Sequence, residues 1–308
     1  MLTIPAADFS LKETLESGQA FRWTQHDGWC YGFVDSAILK VKQVDGHLLC
    51  DSSDASLGPD RIRRYFGLDL TLSDILSSID VDVQIHEAIV RHRGLRVLRQ
   101  DAWETLASFI CASFNNIKRI EGMIERLCQA YGEPVSMNGC RGFQFPRPDV
   151  IAAASERALR AMGLGYRAPY LRATARLIVE GRLSLAQLQA VDYDAAKTAL
   201  LGCDGVGDKV ADCVALFGCQ KYEAFPIDVW IERAMRYYFR HRRMTRARLH
   251  RYARRHFGPY AGYAQQYLYH YVRHLRSTPP SGPGHGRATV VVPAPTGGRD
   301  VAPHGAWS

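Results

Sequence analysis

A lysine and an aspartate follow a glycine-rich turn in a pattern that could support covalent chemistry. Lys209 comes directly after Gly205-Val206-Gly207-Asp208, and Asp228 lies 19 residues further on, after Phe225-Pro226-Ile227. An unprotonated lysine amine can attack an electrophilic carbon and form a Schiff base, and a carboxylate can stabilise the positive charge that develops. The same two residues could equally be a surface lysine and a helix-capping aspartate. Taken alone, the pair leaves both interpretations open.

The turn before Lys209 is predicted to join two helices. Asp194 to Leu201 is a helix-forming run, and a second run with helical apolar spacing extends from Asp208 to Phe217. Gly205 and Gly207 allow left-handed backbone conformations and leave the backbone amides uncovered. Because amides at the start of a helix bind phosphate, this helix-hairpin-helix predicts a phosphate-binding turn.

The composition is that of a globular chain with an excess of positive charge. The 308 residues are 47% hydrophobic and 23% charged, and the formal net charge is +8. This excess favours a polyanionic partner, but only weakly. The densest basic segment, residues 240–256, could be a solvated face or a nucleic-acid contact. The length is sufficient for two domains.

The cysteines and the apolar pattern exclude several classes of protein. The eight cysteines are scattered without any C-x-x-C pair, and none follows Cys219, so an iron–sulfur cluster beyond the hairpin is excluded. No apolar run reaches the roughly 18 residues of a membrane span, and residues 1–5 lack the basic start of a signal peptide. We therefore expect reduced, buried cysteines in a cytoplasmic, nucleoid-associated or nuclear protein without a membrane partner.

Two patterns divide the chain and predict an α+β fold. Before residue 95, short runs rich in aromatic and β-branched residues are separated by Asp27-Gly28 and Asp45-Gly46, which predicts an antiparallel sheet with a few helices. From Asp101 the pattern is helical almost throughout. We predict a sheet domain over residues 1–95, an all-helical domain with the hairpin over 96–276, and a disordered Pro/Gly-rich tail over 277–308. The predicted strands are Ala20–Thr24, Trp29–Val34, Ile38–Gln43 and His47–Cys50.

Several short segments occur in an order that is typical of one enzyme family. They are Glu16–Trp23 (ESGQAFRW), Ala107–Cys111 (ASFIC), Asn115–Ile117, Arg119-Ile120, Glu125–Ala130 (ERLCQA), Gly163–Ala168 (GLGYRA), the hairpin itself and Phe257–Gly262 (FGPYAG). With them, residues 9–275 resemble the 8-oxoguanine DNA glycosylase/AP lyases of the helix-hairpin-helix superfamily. The resemblance implies a monomeric enzyme of base-excision repair that needs no cofactor, excises 8-oxoguanine from duplex DNA and nicks the strand. The tail lies outside the resemblance.

The resemblance assigns catalytic roles to Lys209 and Asp228. Lys209 would attack the sugar carbon that carries the damaged base and form a Schiff base with the opened sugar, which permits β-elimination of the 3′ phosphate. A free lysine is protonated at neutral pH, but a helix N-terminus and a pocket that excludes water both favour the neutral amine. Asp228 would stabilise the charge on the sugar and help proton transfer, while capping of the next helix keeps its carboxylate ionised.

The resemblance also implies a pocket for the extruded base. Oxidation places a hydrogen on guanine N7, and the backbone carbonyl of Gly18 would accept it, since a buried polar group left unpaired costs about 1–3 kcal/mol. Cys213, four residues beyond Lys209 and on the same helix face, would pack on one face of the base. Gln265 would hydrogen-bond the base edge, and Tyr269 would stack on the other face, where the family favours phenylalanine. From the residues alone, each could be a turn or core position.

A further implied set of residues contacts the DNA around the space that the base leaves. Relatives with a cytosine-specific site usually carry three asparagines where this chain has Phe114-Asn115-Asn116. A phenyl ring can wedge into the stack, but it cannot hydrogen-bond the orphaned base. Arg119 and Arg167 match the positions that bracket the opposite cytosine, with Tyr166 as a wedge beside it. We therefore expect excision with altered discrimination between opposite bases.

The remaining implied contacts involve the hairpin and the residues after Asp228. The amides of Gly205, Gly207 and Lys209 would hold phosphates, and Trp230 would donate to a phosphate where relatives often have histidine. A structural cation, without a catalytic role, could bind the main-chain carbonyls of three hairpin residues. These residues are Leu201, Cys203 and Val206.

Two other functions remain open. A non-catalytic hairpin module would bind DNA without cleaving it, but this leaves the Lys209–Asp228 pair and Gly18 unexplained. A sister glycosylase for oxidised pyrimidines or mispaired adenine is disfavoured by the missing iron–sulfur cysteines and by the N-terminal sheet. A panel of lesion duplexes with different opposite bases would distinguish the three functions.

Overall fold

The computed structural model describes residues 1–238 and 244–277. The predicted disordered tail, apart from Ser277, and the basic residues 240–243 lie outside this range. The strands are β1 Leu2–Pro5, β2 Thr24–His26, β3 Trp29–Val34, β4 Ala37–Val44, β5 His47–Ser52, β6 Pro134–Met137 and β7 Cys140–Phe143. The helices are α1 Leu11–Leu15, α2 Pro59–Tyr65, α3 Leu72–Ile79, α4 Val83–Arg91, α5 Ala102–Ala112, α6 Ile117–Tyr131, α7 Pro148–Ala153, α8 Glu156–Leu159, α9 Arg167–Val179, α10 Leu185–Ala190, α11 Tyr193–Leu201, α12 Asp208–Phe217, α13 Val229–Tyr238, α14 Arg246–Phe257 and α15 Ala261–Ser277.

The first five strands form one antiparallel sheet in the order β1-β5-β4-β3-β2. The turns Asp27-Gly28 and Asp45-Gly46 have positive φ at both residues, with values of 49° and 74° in the first and 45° and 73° in the second. This is the backbone that two-residue hairpins require, and it matches the twist of the strands. Leu39, Val41 and Leu48 are fully buried beneath the sheet. The predicted α+β fold with an N-terminal antiparallel sheet is confirmed.

The predicted strand over Ala20–Thr24 is wrong except at Thr24, which begins β2. The aromatic side chains of this segment are used for packing instead of strand pairing. Phe21 meets Phe109 of α5 edge-on, with ring centroids 5.5 Å apart. The Trp23 ring lies so close to Gly32 of β3 that a Cβ at that glycine would stand 2.3 Å from it. Because the segment contacts both the sheet and α5, it passes between them, and it joins the ladder only at Thr24.

The helices after residue 100 begin at side-chain caps that the sequence displays. Asp101 accepts a hydrogen bond from the Glu104 amide at 2.8 Å, and Asp192 accepts one from the Ala195 amide at 2.8 Å. The helices share one hydrophobic core, in which the buried residues of α5, α12 and α15 meet, and α3 and α4 also pack into it. The predicted domain boundary after residue 95 stays a prediction.

The described helices and cysteines agree with the sequence pattern. No described helix is long and apolar enough to cross a membrane. All eight cysteines lie among the described residues, and none forms a disulfide. Burial raises the pKa of Cys111 and of Cys128 to about 12, so these thiols are neutral and unreactive at physiological pH.

Candidate active site

The predicted helix-hairpin-helix consists of α11, a short turn and α12. Gly205 has φ +77°, and a Cβ there would lie 2.5 Å from a ring carbon of Tyr170, so both the backbone and the available space require glycine. Gly207 differs from the prediction, because it is extended with φ −98° and ψ 179° and acts as the N-cap of α12. No atom lies within 4 Å of where its Cβ would be. The first amides of α12 are therefore uncovered on this side.

Lys209 extends from the first turn of α12 towards α5. Its ammonium nitrogen lies 4.7 Å from the centroid of the Phe109 ring, which is a cation–π contact. Cys213 lies one helical turn further on and lines the same pocket as Lys209. Burial raises the pKa of Cys213 to about 11, so this group is a neutral thiol at physiological pH. The two residues lie on the same helix face, as their spacing predicts.

Asp228 is the N-cap of α13. Its Oδ1 accepts a hydrogen bond from the Ile231 amide at 2.8 Å, and its backbone carbonyl accepts one from the Glu232 amide at 2.8 Å. Burial is the largest influence on this carboxyl and raises its pKa above the ordinary value, although the capping amides and the charge of Lys209 oppose the shift. The cap is present as predicted, but it does not control the pKa. A carboxylate of raised pKa accepts a proton more readily than an ordinary aspartate.

Gly18 lies in a loop that hydrogen bonds hold from several sides. The Gln19 side chain donates to the Thr14 carbonyl at 3.0 Å, and Gln266 of α15 donates to the Ser17 carbonyl at 2.8 Å. Gly18 has φ +75°, a conformation that favours glycine. The backbone around Gly18 is therefore fixed between the end of α1 and the side of α15.

One small pocket contains both predicted catalytic residues and all four predicted base contacts. Its volume is about 50 Å³. The six residues come from the loop after α1, from α12, from the cap of α13 and from α15. They are Gly18, Lys209, Cys213, Asp228, Gln265 and Tyr269. Gln265 is 5% exposed, and its Oε1 has no hydrogen-bond partner. A ligand with an N–H group would satisfy this buried acceptor.

A larger groove of about 1010 Å³ lies beside the pocket and shares Gly18, Lys209, Asp228 and Tyr269 with it. Its wall includes the turn between α5 and α6, where Phe114 is 98% exposed and has φ 52°. A left-handed backbone strains phenylalanine, whereas asparagine adopts it more readily. An exposed aromatic ring on a strained backbone is costly in water. Insertion of Phe114 between bases stays a prediction.

The two asparagines after Phe114 stabilise this turn. Asn115 Nδ2 donates to the Cys111 carbonyl at 3.1 Å, which closes the end of α5. Asn116 Oδ1 accepts from the Arg119 amide at 3.0 Å and caps α6. The Arg119 side chain itself is exposed. The predicted contacts of these residues with DNA stay predictions.

Tyr166 and Arg167 approach the same turn from the start of α9. Arg167 is 7% exposed, and its Nε donates to the Ser113 carbonyl at 2.9 Å, with Nη2 donating to the same oxygen. Its guanidinium stacks on the Tyr166 ring at 4.2 Å, and that ring remains 47% exposed. In this structure Arg167 therefore positions the turn. Contact with an opposite cytosine would require breaking these bonds, so that role stays a prediction.

Trp230 and the hairpin carbonyls complete the predicted set. Trp230, in the first turn of α13, lines the large groove. The Cys203 carbonyl accepts a hydrogen bond from the Val206 amide at 3.1 Å, and a carbonyl oxygen keeps a second lone pair after one such bond. The second lone pair of the Cys203 carbonyl is therefore available to a cation. Binding of a cation by Leu201, Cys203 and Val206 stays a prediction.

Comparison with known proteins identifies the family. Residues 1–106 match the family model for the N-terminal domain of 8-oxoguanine DNA glycosylase, and residues 107–258 match that of the HhH-GPD superfamily of base excision DNA repair proteins. The probable N-glycosylase/DNA lyase of Methanothermobacter thermautotrophicus is 30% identical over 304 residues, which cover 88% of this chain and 96% of that protein. The chain belongs to the 8-oxoguanine DNA glycosylase family.

Solved structures of similar glycosylases share the fold. MBOgg1, in complex with a low-affinity DNA ligand, is 35% identical with a TM-score of 0.85, over 88% of this chain and 94% of that one. The Clostridium acetobutylicum 8-oxoguanine glycosylase/lyase, in complex with double-stranded DNA containing cytosine opposite 8-oxoG, is 28% identical with a TM-score of 0.84, over 90% of this chain and 99% of that one. The predicted family is confirmed.

Asp212, which we did not predict as a site residue, is a buried carboxylate that fixes α12, the helix of Lys209. Asp212 is 1% exposed, accepts a hydrogen bond from the Tyr193 hydroxyl, and lies 3.1 Å from Lys197 Nζ and 3.2 Å from His250 Nε2. Lys197 compensates its charge, and the three partners tie α12 to α11 and α14. The only sequence feature that could have indicated Asp212 is its position three residues after Lys209.

Arg273 is a second residue that we did not predict, and it lies beside Gly18 in the wall of the large groove. Its Nη1 lies 2.9 Å from the position that a Cβ on Gly18 would take, and its guanidinium carbon lies 5.3 Å from the Tyr269 ring centroid. Ligand pockets usually measure about 300–1,000 Å³, so the small pocket of about 50 Å³ must widen before a purine can enter. The four-residue spacing between Tyr269 and Arg273 was the available sequence signal.

We expect Gly18→Ala to slow base excision by roughly 5- to 150-fold, the equivalent of about 1–3 kcal/mol for one unsatisfied buried group. The new methyl group would require a strained backbone and would displace Arg273 from 2.9 Å. Cleavage at a preformed abasic site should change little, because no base occupies the pocket. Gly28→Ala, at another glycine of positive φ (+74°), is the matched control. Equal losses on 8-oxoguanine and abasic duplexes would contradict a role of Gly18 in base recognition.

Proposed function

We propose that this glycosylase flips an oxidised guanine out of duplex DNA, excises it through Lys209 and nicks the strand by β-elimination. The chain is an N-glycosylase/DNA lyase of base-excision repair. The observation that carries the proposal is the small pocket in which Lys209, Asp228 and the four predicted base contacts meet. The relative from Clostridium acetobutylicum binds DNA with cytosine opposite 8-oxoG, which supports the same substrate here.

The reaction begins when the neutral Lys209 amine attacks sugar carbon C1′. The bond from C1′ to the base breaks, and the base leaves with the electron pair and takes up a proton. The sugar ring opens, and C1′ and the amine form a Schiff base. Loss of a proton from C2′ then expels the 3′ phosphate. The carboxylate of Asp228, fixed by its helix cap, stabilises the positive charge on the sugar.

Selectivity for the lesion rests on hydrogen-bond acceptors in a buried pocket. The Gly18 carbonyl would accept the N7 hydrogen that 8-oxoguanine has and guanine lacks. Gln265 Oε1, buried and without a donor, would accept from the N–H groups on the Watson–Crick edge of guanine. Cys213 and Tyr269 would enclose the two faces of the ring. In a normal guanine N7 carries no hydrogen. The guanine N7 and the Gly18 carbonyl, both acceptors, would then face each other without a hydrogen bond.

DNA binding would use the groove and the uncovered amides of the hairpin. The amides of Gly205, Gly207 and Lys209 lie in the turn and the first residues of α12, where the helix dipole favours a phosphate. Trp230 would offer an indole N–H to a second phosphate. The net charge of +8 favours association with a polyanion. We propose that the enzyme acts as a monomer in the nucleoid or the nucleus.

We expect Phe114→Asn to raise the preference for cytosine opposite the lesion by roughly 2- to 10-fold, which corresponds to about 0.5–1.5 kcal/mol for one hydrogen bond. Asparagine tolerates the φ of 52° and can hydrogen-bond the orphaned base, which the phenyl ring cannot. Excision rates on duplexes with cytosine, adenine, guanine and thymine opposite 8-oxoguanine measure the preference. Val83→Asn, at an exposed valine of α4, is the control. Unchanged ratios would exclude Phe114 from opposite-base discrimination.

Sodium borohydride trapping on a panel of lesion duplexes tests the proposed function. The reagent reduces a Schiff base, so it should produce a covalent protein–DNA adduct with 8-oxoguanine duplexes. Trapping only with oxidised pyrimidines would identify a sister glycosylase. Binding without any adduct would identify a non-catalytic DNA-anchoring module.

A further inference from the structure

Three histidines outside the base pocket form a compact cluster beside it. His92 is the C-cap of α4, while His270 and His274 are one turn apart on α15. One ring nitrogen of each lies within 4.8 Å of those of the other two. His92 is 4% exposed and His270 is 1% exposed, whereas His274 is half-buried at the edge. Three imidazoles converging in the interior are unusual, because each brings polar atoms that need partners.

Glu13 of α1 determines which nitrogens of two of these rings carry hydrogen. Its Oε2 lies 2.6 Å from Nδ1 of His92 and 2.9 Å from Nε2 of His270. A carboxylate only accepts hydrogen bonds, so both of these nitrogens must donate. The opposite nitrogens, Nε2 of His92 and Nδ1 of His270, then present lone pairs. Both are buried and have no hydrogen-bond partner.

We propose that His92, His270 and His274 bind a zinc ion. Imidazole nitrogen is a preferred ligand of Zn²⁺, and three histidines leave the fourth tetrahedral position for water. Metal-binding histidines commonly donate their second ring nitrogen to a carboxylate, which orients the ring, and Glu13 does this for two of the three. With Zn–N bonds of about 2.0–2.1 Å, the nitrogens would stand about 3.4 Å apart. Since these nitrogens now lie within 4.8 Å of one another, the rings would close this difference when the ion binds.

The position of the site would give the ion a positioning role at the base pocket. Glu13 precedes Gly18 by five residues, and His270 directly follows Tyr269 on α15. The ion would therefore join α4 to α15, the helix that carries Gln265 and Tyr269. Through the Glu13 hydrogen bonds it would also steady α1, which leads into the loop of Gly18. This positioning role rests on the proposed function, whereas zinc binding does not.

Metal analysis of the full chain, without DNA, tests the site. The protein is treated with a chelator, titrated with Zn²⁺ by calorimetry and, separately, with Co²⁺ monitored by its visible absorption. We expect one equivalent of Zn²⁺ and the absorption bands of tetrahedral Co²⁺ in the wild type. Zn²⁺ binding and the Co²⁺ bands should both be lost in His274→Gln. Since His274 is only half-buried, this variant should still fold. Glu13→Gln should weaken binding by about 10- to 100-fold, the usual effect of removing a carboxylate that orients a ligand.

The control is His86→Gln, because His86 is an exposed histidine of α4 that pairs with Asp80. It should bind one equivalent like the wild type. Wild-type protein that binds no Zn²⁺, or a His274→Gln variant that binds it with wild-type affinity, would overturn the proposal. Circular dichroism and a melting curve of each variant exclude loss of the fold as the cause. Since no DNA is present, the result is independent of glycosylase activity.

Discussion

Replacing Lys209 with glutamine is expected to abolish the borohydride-trapped adduct and to lower cleavage of 8-oxoguanine duplexes by about 10⁴-fold or more, as the loss of a nucleophile does in other enzymes. Glutamine has nearly the same length but no nucleophilic amine. Its amide can still lie beside Phe109, which Lys209 contacts, so the fold and the affinity for DNA should change little. Gel-resolved trapping and single-turnover cleavage measure the two effects.

Lys118→Gln is the matched control for this experiment. Lys118 lines the same groove but not the small pocket, so its loss should leave the adduct intact. An adduct that persists in Lys209→Gln, with unchanged yield, would show that another amine attacks the sugar. Mass spectrometry of the trapped peptide would then identify it.

Replacing Asp228 with asparagine is expected to slow excision by about 10²- to 10³-fold, the usual effect of removing one preorganised electrostatic group. The pH dependence should change as well. Burial raises the pKa of this carboxyl, so in the wild type the rate is full above that raised pKa and falls as the pH decreases through it. Asparagine does not titrate in this range, and the acid limb should disappear. A pH–rate profile under single-turnover conditions measures both effects.

The fold should tolerate this substitution because asparagine is also a good N-cap, and its Oδ1 can accept from the Ile231 amide. Asp192→Asn is the control, because it makes the same change at the N-cap of α11, outside the pocket. An acid limb that is unchanged in Asp228→Asn would mean that a different group titrates. In that case the role of Asp228 would be limited to capping.

Local signals predicted the hairpin and many helices well. The bounds of α6 and α12 agree with the sequence pattern, since Asn116 and Gly207 mark their starts by side-chain or backbone chemistry within a few residues. The strand predicted over Ala20–Thr24 failed because its aromatic side chains pack between the sheet and α5, which is a tertiary effect. The β6–β7 hairpin was missed for a different reason: its strands are short, and residues 134–143 carry few β-branched side chains.

The residues that form the candidate site could be predicted from the sequence, but the residues that pack around them could not. Resemblance to a family supplied the residues of the base pocket, and helical spacing placed Cys213 beside Lys209. The Asp212 network and the position of Arg273 depend on helices that meet only in the folded chain. The histidine cluster draws residues from α1, α4 and α15, with no motif spacing that could bring them together in sequence. Residues this far apart in the sequence can be recognised as a group only in the folded structure.

The turn that carries Phe114 has a kinetic consequence for the search along DNA. Hydrogen bonds from Arg167 and Asn115, and the Asn116 cap, hold this turn when no DNA is bound. Ordering a backbone residue costs about 1–2 kcal/mol, and here that cost is incurred when the chain folds, before any encounter. We therefore expect the enzyme to search DNA quickly, because the Phe114 ring is already in position when it meets each base step. The dwell time at an undamaged pair would then be set by the opening of the DNA and not by closure of a protein loop.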